Sequence, residues 1–140
     1  MTTSKCKSWI LLFAGLSGAL LPGAISCGGR CGGFTPCLPA LANVSPVSLS
    51  FPNQTVGTTS APMSVTLTNN GDATLKISNI TLSGDFSENH NCAADLAPSA
   101  KCTISVTFAP TMTGARAGAL TIASNDPTSP TMVSLSGMGV

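Results

Sequence analysis

Alternation of apolar and small polar residues is the feature that most limits what this chain can fold into. The alternation starts at Val47 and recurs in 63–68, 103–108, 120–123 and 133–136. Because successive side chains of a strand point to opposite faces, each segment is expected to be a strand with one buried face and one solvent-exposed face. Turn-forming residues such as Asn-Asn-Gly-Asp and Asn-Asp-Pro separate the segments. Roughly six or seven short strands predict an all-β chain that folds as a β-sandwich.

One further segment changes parity part of the way along. Leu75 and Ile77 share one parity, whereas Ile80 and Leu82 hold the other. Because a strand keeps one face toward the core, this change predicts a bulge or bend near Ser78–Asn79.

Two cysteines of the predicted domain are placed to join neighbouring segments. Cys102 shares the parity of Ile104, so its side chain should point inward at the start of a strand. Cys92 lies shortly before it, and a disulfide between the two would stabilise the fold by roughly 2–3 kcal/mol on the chain-entropy argument. A pair of buried free thiols is the alternative.

The composition argues against nucleic-acid binding and against strong electrostatic attraction to any charged partner. Charged residues make up 8 % of the 140 residues, and the net charge is +1. A typical soluble domain carries about a quarter charged residues. No run of basic residues is present, so the electrostatic footprint of a nucleic-acid-binding protein is missing.

Residues 1–26 have the layout of a secretory signal peptide. A short basic region with Lys5 and Lys7 precedes the uncharged apolar run Trp9–Leu21, which is too short to cross a bilayer as a helix. The residues AISC at positions 24–27 resemble a bacterial lipobox, which implies that Cys27 takes a diacylglycerol and becomes the first residue. Cleavage by ordinary signal peptidase near the same place is the alternative. Either processing predicts an exported protein in an oxidising compartment, at the cell envelope or secreted.

Residues 27–45 are rich in Gly and Pro and lack alternation, so they are interpreted as a disordered tether before a domain at 46–140. Cys31 and Cys37 lie in this tether, and a disulfide between them is the expectation after export. A metal site is less favoured, since the segment has no His and its spacing is not that of a Cys-x-x-Cys pair.

Three pieces of the sequence resemble the ASH (abnormal-spindle/Hydin-type) domain family, which also occurs in bacterial surface proteins of the choice-of-anchor D type. They are NNGDATLKISNITLSGDF, NCAADLAPSAKCTISVTFAPTMTGARAGALTIASND and SPTMVSLSGMGV. The resemblance implies a seven-stranded immunoglobulin-like sandwich related to the major sperm protein and PapD-like folds. Such modules usually occur in tandem or beside another domain, so this chain is either a minimal lipoprotein or a truncated product.

Catalytic chemistry finds little support in the sequence. His90, the single histidine, lies in the polar stretch SENHNC, which is interpreted as a solvated turn. The five acidic residues are scattered singly, and neither a nucleophile-elbow motif nor an EF-hand loop is present. The sequence therefore predicts no enzyme, no cofactor and no metal site.

The leading hypothesis is an exported structural or binding module, anchored in the membrane by lipid, that contacts an unknown protein partner through an edge strand. One alternative is a periplasmic PapD-like chaperone, for which Lys76, Lys101 and Arg116 are the basic residues available in the domain. Another is a cytoplasmic protein associated with cilia or microtubules, as the resemblance implies for eukaryotic members.

Overall fold

The computed structural model of the chain describes residues 38–140, which form nine β-strands. None of these residues belongs to a helix, so this part of the chain holds no helix capable of crossing a membrane. The strands are β1 (Ala42–Ser45), β2 (Ser48–Ser50), β3 (Met63–Asn69), β4 (Leu75–Leu82), β5 (Phe86–His90), β6 (Asp95–Leu96), β7 (Lys101–Phe108), β8 (Gly114–Ser124) and β9 (Thr131–Gly139).

The strands form two sheets. The first sheet has the order β1-β3-β7-β5 and the second has the order β2-β9-β8-β4-β6. Strand β2 runs parallel to β9, and the other paired strands are antiparallel. The chain passes from the first sheet to the second between β1 and β2, at Pro46. The predicted all-β, immunoglobulin-like sandwich is confirmed.

The core lies between the sheets and is built from the residues whose alternation predicted it. Burial alternates along β7, where Cys102, Ile104, Val106 and Phe108 point inward. Their counterparts in the other strands complete one apolar cluster, which includes Val65, Leu67, Leu75, Leu120, Ile122, Val133 and Leu135.

Three phenylalanines fill one end of the core. The ring centroids of Phe51, Phe86 and Phe108 are 5.0–5.8 Å apart, a spacing at which aromatic rings attract one another. Glycines on β8 and β9 make room for them. A Cβ added at Gly137 would lie 2.5 Å from the Phe108 ring, and one added at Gly118 would meet the Phe86 ring at 2.8 Å. The rings therefore leave no room for a side chain at Gly118 or Gly137.

Two predictions about local structure are confirmed. The pairing of β4 with β8 shifts register between Ile77 and Asn79, where the change of parity predicted a bulge. Cys92 and Cys102 form a disulfide, and the Cys102 side chain is buried. The bridge ties the segment that follows β5 to the start of β7.

Other predictions need correction. The sequence predicts that the domain starts at residue 46, but β1 already pairs with β3, and Ala40 and Val44 are buried in the core. The folded domain therefore starts earlier. The structure has nine strands in residues 38–140, against the six or seven predicted, and the alternation did not reveal β1, β5 and β6. His90 ends β5 instead of lying in a turn. The signal peptide and the predicted roles of Cys27, Cys31 and Cys37 fall outside the described residues.

Candidate functional site

The carboxylates of the domain hold turns together. Asp126 is 5 % exposed and accepts hydrogen bonds from the N–H and hydroxyl of Thr128 and from the N–H of Ala42. Burial by itself would raise the pKa of Asp126, but these hydrogen bonds outweigh it and lower the pKa below its ordinary value. Asp126 thus stays charged at neutral pH as the acceptor that ties the β8–β9 turn to β1.

Asp85 performs a similar task at the other end of the sandwich. Its carboxylate accepts a 2.7 Å hydrogen bond from Nε of Arg116 and a 3.0 Å bond from the N–H of Thr111. The guanidinium of Arg116, followed by the Thr111 N–H, lowers the pKa of Asp85 against the opposing effect of desolvation. The pair joins the β4–β5 turn to β8.

Two of the three basic residues of the domain are therefore engaged by carboxylates. Arg116 binds Asp85, and Lys76 lies 3.4 Å from Asp95 in an exposed ion pair. Lys101 is exposed at the start of β7. In residues 38–140, no three His, Cys, Asp or Glu side chains come together as a group able to hold a metal ion.

The sheet edges offer a different kind of site, namely backbone groups that can pair with another strand. The four edge strands are β1 and β5 in the first sheet and β2 and β6 in the second. On β1, the outward N–H of Ala42 is already occupied by Asp126. On the second sheet, β6 pairs with Leu75 and Lys76 at the start of β4.

The free side of β5 carries backbone groups that have no partner within residues 38–140. Hydrogen bonds from Ala109 N–H to the Asp85 carbonyl and from Asn91 N–H to the Thr103 carbonyl set the phase of pairing with β7. Because hydrogen-bonded pairs alternate with non-bonded pairs along an antiparallel ladder, the N–H and C=O groups of Glu88 and His90 point away from β7. Within residues 38–140, no hydrogen bond reaches either of these N–H groups.

A cavity of about 280 Å³ lies where β4 and β5 separate. It is lined by Ile77, Ile80, His90 and Cys92, together with their neighbours. The register of β5 places Glu88 opposite Val106 and His90 opposite Ile104, so both polar side chains take the inward parity at the open margin of the first sheet.

Glu88 and His90 present complementary hydrogen-bonding atoms at this margin. The Oε2 atom of Glu88 is buried and has no hydrogen-bond partner within residues 38–140. The Nδ1 atom of His90 accepts a hydrogen bond from the N–H of Cys92, so in the neutral ring Nε2 carries the hydrogen and can donate it. The edge therefore combines open backbone groups with one free acceptor and one free donor.

Sequence reasoning named His90 and missed β5. The segment has a single apolar residue that enters the core, Phe86, and its other inward positions are polar. A signal was nonetheless present, since polar residues at inward positions are one way in which proteins protect an edge strand from unwanted pairing.

Comparisons with known proteins agree with this architecture. Residues 42–140 match the family described as Cep192 domain 4. No curated protein gives a significant match to the chain. Among solved structures, the ASH/PapD-like domain of human CEP192 (PapD-like domain 7) is 17 % identical with a TM-score of 0.58, and the match covers 84 % of this chain and 96 % of that one.

Two bacterial structures are also similar. A protein of unknown function from Porphyromonas gingivalis W83 has a TM-score of 0.62 at 14 % identity, with 75 % of this chain and 49 % of that chain covered. The secreted serine protease VesC from Vibrio cholerae has a TM-score of 0.54 at 19 % identity, with 73 % and 23 % covered. This chain thus spans about half of the first protein and about a quarter of the second.

At these identities the structural matches establish the fold, and the match to residues 42–140 establishes the family. The chain belongs to the Cep192 domain 4 family, and its described part is an ASH-type immunoglobulin-like domain.

Proposed function

We propose that the protein is a non-enzymatic binding module of the cell envelope, anchored by a lipid on Cys27, that contacts other proteins through an open sheet edge. The observation that carries the binding role is β5, whose Glu88 and His90 backbone groups point away from β7. Edge strands of this kind accept an additional strand by main-chain hydrogen bonding.

The arrangement of titratable groups supports binding over catalysis. A catalytic base needs a nucleophile and an orienting group within hydrogen-bond reach. His90 uses Nδ1 to accept the Cys92 N–H, while Asp85 and Asp126 are committed to turns. The matched proteins include both a PapD-like domain and a part of a protease, so the fold alone leaves activity open and the side chains support the assignment.

The engagement of two of the domain's three basic residues, all but Lys101, disfavours the chaperone hypothesis. A chaperone of the PapD-like type would need cations free to hold the carboxylate of a client subunit. Arg116 and Lys76 already contact Asp85 and Asp95. A binding module that uses backbone groups does not need free cationic side chains.

The anchoring half of the proposal depends on the sequence AISC at positions 24–27 and on the apolar run before it. The Cys92–Cys102 disulfide supports export, since such bonds persist in oxidising compartments. A lipid-anchored surface module of the choice-of-anchor D type satisfies both observations.

Mass spectrometry of the protein from the membrane fraction of its native host, without reduction, tests this function. We expect a mature chain that begins at an acylated Cys27, with Cys31 linked to Cys37 and Cys92 linked to Cys102. The Cys27→Ser variant should lose the acyl mass and leave the membrane fraction. An unprocessed chain with free thiols would refute export and place the cytoplasmic alternative first.

A further inference from the structure

We propose that β5 pairs with β5 of a second copy of this chain in an antiparallel, two-fold arrangement centred on Asn89. This inference rests on the proposed function, in that it names which edge is used and what occupies it. In this register, Glu88 of each copy lies opposite His90 of the other. Ser87 then lies opposite Asn91 on the outer face, where Asn89 meets its own symmetry mate.

The backbone phase of β5 allows this register. Residues that face away from β7 must form the hydrogen-bonded pairs of a new ladder. Glu88 and His90 are such residues, so they can exchange N–H to C=O bonds with His90 and Glu88 of the second copy. Asn89 falls at a non-hydrogen-bonded pair, where facing Cα atoms approach to about 4.5 Å.

The side chains supply the argument for a second copy of the chain. The buried Oε2 of Glu88 lacks a donor within residues 38–140, and Nε2 of His90 is a free donor two residues away. In a two-fold pairing, the Glu88 carboxylate of each copy turns toward the free edge and accepts a hydrogen bond from Nε2 of His90 in the other copy. Opposite cross-strand partners have Cβ atoms about 4.5–5.5 Å apart, a separation that these two side chains bridge.

Electrostatics selects this register over the one centred on Glu88. A two-fold axis through Glu88 would place two carboxylates opposite each other, and like charges in opposing positions destabilise a sheet pair. The axis through Asn89 replaces that repulsion by two Glu–His contacts. An isologous contact of this kind closes at two copies, because each β5 has one free side.

The contact is expected to be weak in dilute solution. Strand β5 has five residues, so pairing buries much less area than a standard stable interface of about 1,600 Å². Confinement to a membrane surface would raise the effective concentration of the two edges and favour the dimer. The place to look for the dimer is therefore the host membrane, with the full-length protein.

Cysteine cross-linking at the symmetry axis tests the proposal. In the full-length protein expressed in its host, Asn89→Cys should yield a disulfide-linked dimer on a non-reducing gel, because facing positions in a non-hydrogen-bonded pair suit disulfide geometry. Asn43→Cys is the matched control, since it is an exposed asparagine on β1 at the opposite edge of the same sheet. It should remain monomeric.

Charge exchange then tests the register. In the Asn89→Cys background, Glu88→His and His90→Glu should each lower the dimer yield several-fold, because each places like side chains opposite each other. The double exchange should restore the yield. Circular dichroism of each purified variant shows whether it is folded, so that loss of dimer is assigned to the edge and not to unfolding.

Three outcomes would overturn the proposal. They are a folded Asn89→Cys protein that stays monomeric, equal cross-linking at Asn43→Cys, or a dimer yield that does not change with the charge exchanges. A disulfide from Asn89→Cys to a different protein would also overturn the second-copy assignment while supporting the binding role of the edge. The acyl mass on Cys27 is measured in the same samples, so failure of the dimer is distinguished from failure of membrane anchoring.

Discussion

The carboxylate of Asp126 accepts a hydrogen bond from the backbone N–H of Ala42, which lies 84 residues earlier in the chain. This bond joins the β8–β9 turn of the second sheet to the first strand of the first sheet. It occupies an N–H group at the start of an edge strand, and so it helps to fix where the folded domain begins.

Asp126 should make stability depend on pH in the acid range. Because its pKa is lower in the folded chain than its ordinary value of 3.8, its contribution is complete above that value and is lost as the pH falls through the lowered pKa. We expect Asp126→Asn to reduce the free energy of unfolding at pH 7 by about 1.5–3 kcal/mol, the usual contribution of hydrogen bonds to a charged group. Urea denaturation at pH 7 and at pH 2–4 measures both effects.

Asp95→Asn is the control for this experiment, since Asp95 is exposed and its side chain forms a surface ion pair with Lys76. Its effect should be within about 1 kcal/mol, as for exposed ion pairs in general. Equal losses of unfolding free energy in the two variants would show that the hydrogen bond to Ala42 contributes no more to stability than a surface ion pair.

Asn69 should be among the residues least tolerant of substitution. Its side chain is fully buried, accepts hydrogen bonds from Leu41 and Gly71 and donates to the carbonyls of Ala73 and Leu96. Asn69→Ala leaves these groups without partners, and each unsatisfied buried group costs about 1–3 kcal/mol. We expect a loss of more than about 2 kcal/mol in chemical denaturation.

The neighbouring exposed residue Asn70 provides the matched comparison. Asn70→Ala should change stability by no more than about 0.5 kcal/mol, as surface substitutions generally do. A small effect at both positions would contradict the role assigned to the Asn69 side chain.

Reduction of the Cys92–Cys102 bridge should weaken the domain without changing its fold. The bridge closes a loop with a sequence separation of 10, and the chain-entropy argument gives a loss of about 2–3 kcal/mol. Thermal unfolding followed by circular dichroism, with and without a reductant, should show a lower Tm under reducing conditions. A variant with both cysteines replaced by alanine should be insensitive to the reductant, and an unchanged Tm in the native sequence would argue against the bridge.

Gly137→Ala should destabilise the aromatic end of the core. The new methyl group would lie 2.5 Å from the Phe108 ring, so the ring or the strand must shift. Overpacking of this kind costs about 1–3 kcal/mol. Ser134→Ala, at an exposed position of the same strand, is the comparison and should be nearly neutral in the same denaturation experiment. A neutral Gly137→Ala would mean that the end of the core is looser than its ring spacing indicates.

The sequence predicted the strands that place several apolar residues in the core. Strand β7 was evident because four inward residues alternate with polar ones, and the bulge in β4 was evident because its apolar residues change parity. These signals are strong because burial between two sheets imposes a period of two on every central strand.

The strands that were missed lie at the edges, where that constraint is weak. Strand β1 buries only Val44, β6 has two residues, and β5 carries Glu88 and His90 at inward positions. The edge proposed for binding was not identified for the same reason, since its identity depends on which backbone groups lack a partner. Such information arises only from the pairing of strands distant in sequence.

The parallel pairing of β2 with β9 has a mechanical consequence. The two strands lie near opposite ends of the described chain and run side by side in the same direction. A pull that separates the two ends would therefore load their backbone hydrogen bonds in shear, so that the bonds share the force instead of opening one after another. If the protein is held at its amino end and pulled at its carboxyl end, the hydrogen bonds between β2 and β9 must break before these two strands can separate and the sandwich can extend.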